Sequence, residues 1–571
     1  MEGSVALCVL GSKYVHASPA PWCLAAGIKA YAPELSHLVR IVEATINQPI
    51  TDVLEQIIAQ KPAVVGFSCY IWNIEATLTL CTLLKQKLPH VLIVLGGPEV
   101  SYCAKEVLQA SPQIDYILAG EGEESLPAFL RAVFAANKPE QIAGLCGRCE
   151  DGTIYETMPC ILSNMVPSPL ESGYAEAVKG RIAYIETSRG CPYNCAFCLS
   201  GRCSKPRYFA LDTVLQDILR LANSGTRTIK FVDRTFNANP AHANRILRFI
   251  IDHYGKEIPQ GVCFHFEIAG DILREETFAL LAQMPLGAVQ LEVGIQSFCE
   301  KTLEAVNRKT DTALLQANIK RLVAMGNMHI HIDLIAGLPY ENLAVFAESF
   351  DKAYGLGAQM LQLGFLKLLH GSAMRSEPET YPCCFDEHPP YEVRSTPWLS
   401  EQDFALLHNT EQALDRVYNS GRFRRTADYV LSVSGQTPFA FYTGLGTALH
   451  EAGVHRNISL DDFTAALQNY CTSLPNVDSE TLRDHLVRDR LSTNSTGRLP
   501  PCLHRQDARM AKIIKHLSAN PATAPEKGVR RGIAILYAAN TVCWADYAPD
   551  EKNPVAGRWA LHEMPLENIL A

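Results

Sequence analysis

Short apolar runs alternate with longer amphipathic stretches along the first part of the chain. The runs are four to six residues long and rich in Val, Ile and Leu, and helical patterns such as Ile50–Gln60 and Asn73–Leu88 separate them. Continuous apolar strands between helices are typical of a parallel sheet covered on both faces. The five predicted strands are Val5–Leu10, Leu38–Val42, Ala63–Ser68, Val91–Leu95 and Tyr116–Ala119. We therefore expect a doubly wound domain whose ligand lies beyond the carboxyl ends of the strands.

The strand–helix alternation resumes after a connector. Ile142–Cys160 has the pattern of a hairpin with its turn at Glu150-Asp151-Gly152. Six further strands are then predicted, at Ile182–Glu186, Thr228–Asp233, Cys263–Ala269, Val289–Ile295, His329–Ile335 and Leu361–Lys367. Because a closed barrel of this kind has eight strand–helix units, six indicate a partial barrel with its chemistry at the carboxyl ends of the strands.

The alternation stops near Pro389, and the remainder is predicted to be a mixed α+β domain. A helical pattern covers Glu401–Ser420, a polar stretch follows at Asp489–Cys502, and Gly557–Glu563 suits a strand. The predicted divisions are a Rossmann-like domain at 1–140, a hairpin linker at 141–180, a partial barrel at 181–372 and a C-terminal domain at 373–571.

Composition narrows the possible functions. The 571 residues are 47% hydrophobic and carry a formal net charge of −9, which gives no reason to expect binding to nucleic acid. No apolar run approaches the roughly 18 residues of a membrane span, and the amino-terminal residues lack the basic region of a signal peptide. We expect a cytoplasmic protein whose 19 cysteines are mostly buried small side chains and not disulfides.

Three cysteines stand apart from the others. Cys191, Cys195 and Cys198 follow the first strand of the second region, in a stretch whose glycine and proline indicate a loop. Three thiolates at this spacing suit an iron–sulfur cluster with one iron left open, since clusters are normally held by four cysteines. A zinc site completed by another residue is the alternative, and simple packing is the third.

The stretch Thr187–Cys198 resembles the signature loop of the radical S-adenosylmethionine (SAM) enzymes. The resemblance implies a [4Fe-4S] cluster on the three cysteines, with SAM on the fourth iron and cleavage of SAM to a 5′-deoxyadenosyl radical. The later strand ends also resemble this family, in the sequences LEVGIQS from Leu291 and DLIAGLP from Asp333. The SAM contacts that the resemblance implies are Phe197, Glu267, Glu292, Gln296, Asp333 and Gly337.

Some of these positions admit a simpler interpretation. Glu267 or Asp333, taken singly, would equally suit a structural acid at the start of a helix. His329 and His331 lie on the same side of their strand as Asp333, which is either the barrel interior or the core. Phe231–Phe236 departs from the Gly-Gly-Glu form that many family members have at the second strand, so the contact to the SAM amino group there is left open.

The loops of the first domain resemble those of the cobalamin-binding domain that precedes the barrel in one radical SAM subclass. The first loop, Gly11–His16, is not a dinucleotide motif. The cobalamin contacts implied by the resemblance are Ser68, Gly96, Gly97, Pro98 and Gly120. The D-x-H-x-x-G motif, whose histidine binds cobalt, is absent. His16 lies on the right loop at a different spacing, so we interpret it as an ordinary loop histidine, with cobalt ligation as the alternative.

The remaining thiols carry no site pattern. Cys146 and Cys149 form a single C-x-x-C, and without a second such motif we interpret them as incidental. We give Cys203, Cys383 and Cys384 the same interpretation.

The resemblance favours cobalamin-dependent methyl transfer to an unactivated carbon. The alternatives are a cobalamin-independent radical SAM rearrangement or oxidation, and a non-catalytic iron–sulfur or corrinoid-binding protein. A methylthiotransferase fits less well, because those relatives hold a second cluster on cysteines of the first domain and end in a basic RNA-binding domain. The expected partners are an unknown substrate and an electron donor such as flavodoxin or ferredoxin.

Overall fold

The structure, a computed structural model, describes residues 3–162, 166–202, 205–454 and 458–570. Cys203 lies outside the described residues. The chain divides into two compact units. The first consists of Met1–Gln290, Glu304–Thr310 and Phe365–Thr396, and the second of Leu291–Leu303, Asp311–Gly364 and Pro397–Ala571. The four-part division expected from the sequence stays a prediction.

Seven strands form the first sheet, in the order β2-β1-β3-β4-β5-β6-β7. The first five pair in parallel, which confirms the doubly wound arrangement, and the predicted hairpin adds β6 and β7 in antiparallel fashion. The strands are β1 Ser4–Gly11, β2 Val39–Thr45, β3 Pro62–Ser68, β4 Leu92–Gly96, β5 Tyr116–Leu118, β6 Leu145–Arg148 and β7 Ile154–Glu156. The helices are α1 Ala20–Tyr31, α2 Ile50–Ala59, α3 Ile74–Lys87, α4 Pro98–Ser101, α5 Ala104–Ala110 and α6 Gly122–Phe134.

Helices cover both faces of this sheet, which explains its unbroken apolar strands. Successive side chains of a strand point to opposite faces. Val5 and Leu7 pack in one core with Phe129, whereas Ala6 and Cys8 belong to the core on the other face. Cys146 lies in this second core and is fully buried, in keeping with an incidental thiol.

A parallel sheet of six strands follows, in the order β15-β14-β13-β12-β11-β8, and confirms the partial barrel. The boundary between the two units falls within β13. The strands are β8 Ile182–Ile185, β9 Ser188–Arg189, β10 Arg207–Tyr208, β11 Thr228–Phe231, β12 Cys263–Ile268, β13 Val289–Gln296, β14 His329–Ala336 and β15 Met360–Phe365. The helices are α7 Tyr174–Ala177, α8 Leu211–Ala222, α9 Pro240–His253, α10 Glu275–Leu281, α11 Glu300–Ala305, α12 Thr312–Met325, α13 Leu343–Tyr354 and α14 Ala373–Ser376. Strands β9 and β10 pair as a separate antiparallel ribbon.

The C-terminal part is mostly helical, with a small antiparallel sheet of order β18-β19-β22. The strands are β16 Cys384–Phe385, β17 Val393–Ser395, β18 Arg531–Leu536, β19 Thr541–Asp546, β20 Lys552–Asn553, β21 Arg558–Trp559 and β22 His562–Pro565. The helices are α15 Glu401–Leu414, α16 Arg424–Ser434, α17 Pro438–Glu451, α18 Leu460–Thr472, α19 Ser479–Thr493, α20 Met510–Ala519 and α21 Glu567–Leu570. The strand predicted at Gly557–Glu563 is divided between β21 and β22. None of the helices in the described ranges is long and apolar enough to cross a membrane.

The loop after β1 is joined directly to the start of β8, both within the first unit. The Ile182 amide donates to the Val15 carbonyl, and the Ala17 amide donates to the Ile182 carbonyl. The adjacent Arg181 side chain is only 8% exposed and donates to both carboxylate oxygens of Glu43, at 3.0 and 3.2 Å, and to two carbonyls of the same loop. A buried guanidinium with these partners is fully satisfied, so it fixes this joint.

We expect Arg181→Met to lower the midpoint of thermal unfolding, because it leaves the Glu43 carboxylate without its cation in a part-buried position. Breaking such a pair costs on the order of 3 kcal/mol. The matched control is Arg131→Met, since the pair of Arg131 with Glu34 is about half exposed and is worth under about 1 kcal/mol. Calorimetry of both variants checks this, and equal shifts would contradict it.

Candidate functional site

The three thiols of the cysteine motif lie in the loop between β9 and β10. Cys195 is 6% exposed, Cys191 and Cys198 are half-buried, and none of the described cysteines is in a disulfide. Burial raises the pKa of the Cys195 thiol, Arg308 lowers that pKa, and Cys198 and Cys191 raise it further. The three thiols therefore share one electrostatic environment.

The spacing of these thiols bears on the choice between zinc and a cluster. Among the described residues, the group of three possible ligand atoms that all lie within 4.8 Å of one another is Glu292, His331 and Asp333. At least one pair of the three cysteine sulfurs is therefore separated by more than 4.8 Å. Around a tetrahedral zinc with bonds of about 2.3 Å, sulfurs lie only about 3.8 Å apart. A wider triangle suits a [4Fe-4S] cluster, in which each thiolate binds a different iron. The geometry thus favours the cluster over zinc.

Each thiol also has a hydrogen-bonding partner. The pairs are Cys191 Sγ with Thr235 Oγ1 at 3.4 Å, Cys198 Sγ with Ser200 N at 3.4 Å and Cys195 Sγ with Arg308 Nη1 at 3.9 Å. The Ser200 amide and the Arg308 guanidinium donate to their sulfurs, whereas the Thr235 hydroxyl donates to the Arg234 carbonyl. Donors that face a sulfur stabilise its thiolate form, which is the form that binds metal. Nothing in the local spacing of the motif indicated Thr235 or Arg308.

A buried carboxylate holds the base of the loop. Asp233, only 1% exposed, accepts hydrogen bonds from the Thr187 amide at 3.0 Å, the Thr187 hydroxyl at 2.7 Å and the Ser188 hydroxyl. Burial raises the pKa of Asp233 to about 6, against these hydrogen bonds. At the strand where the sequence departs from the family pattern, the acid therefore supports the cysteine loop.

A second buried cluster links the loop to the first sheet. Arg189, on β9, donates to Glu186 at 2.6 and 2.9 Å and to Glu123 at 2.9 Å, and lies 3.4 Å from Glu121. Arg207, on β10, binds Glu121 as well. Because Glu121 and Glu123 lie at the start of α6, the ribbon that carries the cysteines is tied to the carboxyl edge of the first sheet.

Two predicted SAM contacts belong to the same unit as the cysteines. Phe197 is half-buried next to Cys198, and Glu267 lies near the end of β12. The Glu267 carboxylate is 3.9 Å from the Arg234 guanidinium, with both side chains more than a third exposed. An exposed pair of this kind is weak. The position of Glu267 at a strand end is the one that the prediction requires.

The second unit brings two other predicted acids together through a histidine. His331 Nε2 lies 2.9 Å from Asp333 Oδ1, and His331 Nδ1 lies 3.6 Å from Glu292 Oε2. The His331 side chain is 8% exposed and both carboxylates are largely buried. Glu292 lies within β13, and His331 and Asp333 lie within β14, so these residues stand inside the strands and not at their ends. The predicted face of His331 and Asp333 is shared with Glu292.

The backbone is in a rare conformation at two further predicted contacts. Gln296 has φ +71° and Gly337 has φ +101°. A non-glycine residue with positive φ is uncommon and is frequent at functional sites. Next to Gln296, the Ser297 hydroxyl donates to the buried Glu341 at 2.6 Å, and the Ser349 hydroxyl donates to the same oxygen at 3.2 Å. Burial raises the pKa of Glu341 to about 7.

The glycines predicted to face cobalamin are explained by backbone packing. A Cβ on Gly97 would lie 2.5 Å from the Cys69 carbonyl oxygen, and one on Gly120 would lie 2.4 Å from the Cys160 carbonyl oxygen. Both glycines also have positive φ. Ser68 is buried at the end of β3, Gly96 ends β4 and Pro98 starts α4. These residues meet at one edge of the sheet, and their contact with cobalamin stays a prediction.

Large apolar side chains are exposed at this carboxyl edge. They follow four neighbouring strands and are Tyr14, Val15, Ile46, Trp72 and Tyr102. Trp72 stacks on Tyr70 with ring centroids 4.5 Å apart, although 46% of it is exposed. An apolar, aromatic edge at this position suits a large flat ligand.

The His16 imidazole forms a hydrogen bond with a tyrosine of the barrel. Its Nδ1 lies 2.7 Å from the Tyr184 hydroxyl on β8. Burial lowers the pKa of His16, and Lys230, Lys13 and Arg181 lower it further. A metal-bound histidine also hydrogen-bonds through its second ring nitrogen, so this contact agrees with both interpretations, and the ordinary loop histidine stays a prediction.

Comparison with family models assigns the domains. Residues 20–130 match the B12 binding domain, residues 185–353 match the radical SAM superfamily and residues 379–527 match a protein family of unknown function, DUF4080. The chain therefore contains a B12-binding domain followed by a radical SAM domain.

Individual relatives match part of the chain. It is 25% identical over 342 residues to the cobalamin-dependent radical SAM methyltransferase TokK of Streptomyces tokunonensis, covering 56% of this chain and 49% of TokK. It is 26% identical over 337 residues to the anaerobic magnesium-protoporphyrin IX monomethyl ester cyclase of Rubrivivax gelatinosus, covering 55% and 58%. The chain thus spans about half the length of the curated relatives it matches.

A solved structure shows the same fold. The cobalamin-dependent S-adenosylmethionine radical enzyme OxsB, with aqua-cobalamin and SAM bound, aligns with a TM-score of 0.59 and 14% identity over 86% of this chain and 79% of OxsB. At this identity the likeness establishes the fold.

The raised pKa of Glu341 should make the free energy of unfolding depend on pH. Its pKa is raised from 4.5 to about 7 in the folded chain, so ionisation favours the unfolded state as pH rises between these values. We expect the wild type to lose roughly 3 kcal/mol over this window relative to Glu341→Gln. Denaturant unfolding at pH 5 and pH 8 measures it, with the exposed Glu348→Gln as control. An equal wild-type-to-variant difference at both pH values would contradict the assignment.

Proposed function

We propose that this protein is a radical SAM enzyme with a [4Fe-4S] cluster on Cys191, Cys195 and Cys198. The observation that carries this proposal is the loop of three free thiols, each beside a hydrogen-bonding partner, with at least one pair of sulfurs further apart than ligands of one zinc ion would be. When bound, the cluster supplies the electron that cleaves SAM to a 5′-deoxyadenosyl radical. Asp233 holds the loop in the shape that presents the three sulfurs.

SAM is proposed to bind at the strand ends that the family pattern indicates. Gln296 ends β13 and Gly337 follows β14, and both have positive φ. Because Gly337 has no side chain, its main chain is accessible to a ligand. The acids are suited to the amino and ribose hydroxyl groups of SAM, which donate hydrogen bonds. The proposed contacts are Phe197, Glu267, Glu292, Gln296, Asp333 and Gly337.

Cobalamin is proposed to bind along the carboxyl edge of the first sheet. The exposed aromatic side chains of that edge would cover apolar ligand surface, and the loops at Ser68, Gly96, Gly97, Pro98 and Gly120 would border it. Because the D-x-H-x-x-G spacing is absent from the first loop, we propose that His16 is not the cobalt ligand. The reaction that fits both cofactors is methyl transfer to an unactivated carbon, in line with the name of TokK.

A second candidate is a cobalamin-independent rearrangement or oxidation. The similarity to a cyclase, which is not named as a methyltransferase, favours it. A non-catalytic cluster or corrinoid carrier is disfavoured, because a carrier has no use for the acids gathered around His331. In either enzyme a low-potential donor such as flavodoxin or ferredoxin would supply the electron.

Anaerobic reconstitution separates these functions. The purified chain is incubated with iron, sulfide and hydroxocobalamin, desalted, and assayed for iron, sulfide and corrin absorption. About four irons with one corrin support the methyltransferase. Four irons without corrin support the second candidate, and a chain that retains no iron would refute both.

We expect Cys195→Ala to lose the cluster and SAM cleavage, because two thiolates remain where three are needed. The measurements are bound iron and anaerobic formation of 5′-deoxyadenosine, with unfolding as the test of fold. Cys502→Ala, which removes an exposed thiol, should change none of them. Cleavage retained in Cys195→Ala would contradict the site.

A further inference from the structure

We propose that Arg308 raises the reduction potential of the cluster, as a positioning residue that acts through Cys195. This inference rests on the proposed function, and it concerns the single electron that enters the cluster before SAM is cleaved. The guanidinium Nη1 donates to Cys195 Sγ at 3.9 Å, and Cys195 is the most buried of the three thiols.

The segment that carries Arg308 is fixed against the cysteine loop. The Ala196 amide donates to the Val306 carbonyl at 2.9 Å, and the Asn307 side chain donates to the Asn194 carbonyl at 2.9 Å. On the other side, the Tyr381 hydroxyl donates to the Ala305 carbonyl at 3.1 Å. The backbone immediately before Arg308 is therefore held beside the cysteine loop, so the arginine side chain starts from a fixed position close to Cys195.

The sign of the effect follows from charge. Reduction adds one electron to the cluster without making or breaking a bond, and a nearby cation stabilises the more negative reduced state. Arginine keeps its charge at every accessible pH. The interaction is strong because Arg308 is half-buried and Cys195 is buried, so that solvent screens it little.

The neighbouring Lys309 provides a matched control. It carries the same charge one residue further along the chain, and its side chain is exposed. Solvent and salt screen an exposed charge. Loss of Lys309 should therefore affect the cluster much less than loss of Arg308.

The test is an anaerobic, EPR-monitored redox titration of the reconstituted protein without SAM. The variants are Arg308→Met, Arg308→Gln, Arg308→Lys and Lys309→Met. We expect Arg308→Met and Arg308→Gln to shift the one-electron equilibrium about tenfold towards the oxidised form, which is about 59 mV more negative. Arg308→Lys should restore most of the potential, and Lys309→Met should change it by less than half as much.

Several outcomes would overturn this inference. Equal potentials in Arg308→Met and Lys309→Met would do so, as would an unchanged potential in Arg308→Gln. If only the charged variants retained iron, Arg308 would act in cluster assembly, and the inference would again be wrong. All of these results leave the proposed function intact, because that function fails only if the wild type itself holds no cluster.

Discussion

The arrangement of the candidate site depends on the guanidinium of Arg189, which is largely withdrawn from solvent. An uncompensated buried charge costs several kcal/mol, so β9 can lie only where Glu186 and Glu123 both reach this group. Glu123 lies in the first turn of α6, directly after the carboxyl edge of the first sheet. One side chain thus sets the position of the cysteine loop relative to the edge where cobalamin is proposed to bind.

The acids of the second unit form a coupled group and not a set of separate contacts. His331 stands between Glu292 and Asp333, so a proton gained or lost by one member changes the charge felt by the other two. A ligand that binds one of the acids must accommodate the charge state of all three. The sequence resemblance implied that Glu292 and Asp333 contact SAM independently. The geometry implies that the charge states of these two acids are linked through His331.

The sequence predicted those structural elements that depend on a short, continuous pattern of residues. The continuous apolar run at Val5–Leu10 predicted a strand buried on both faces, and the cysteine spacing predicted the loop. Contacts between distant segments were missed, such as Arg308 with Cys195, 113 residues apart, since they have no periodicity to detect. Asn73 shows an intermediate case: it occupies the predicted N-cap, but its side chain instead binds the Leu10 and Ser68 carbonyls. Likewise, the sequence predicted that Gly97 contacts a ligand, whereas backbone atoms of Cys69 occupy the space that a Cβ at this position would need.

The joint between the loop after β1 and the start of β8 limits how this architecture can be recombined. Family models separate the B12-binding domain from the radical SAM domain, but a parallel bridge links His16 to Ile182, and Arg181 pairs with Glu43 across the same boundary. A chain cut at residue 180 would lose both. The B12-binding domain therefore does not form an independent structural unit. A functional chimera between relatives would have to include the first barrel strand together with this domain.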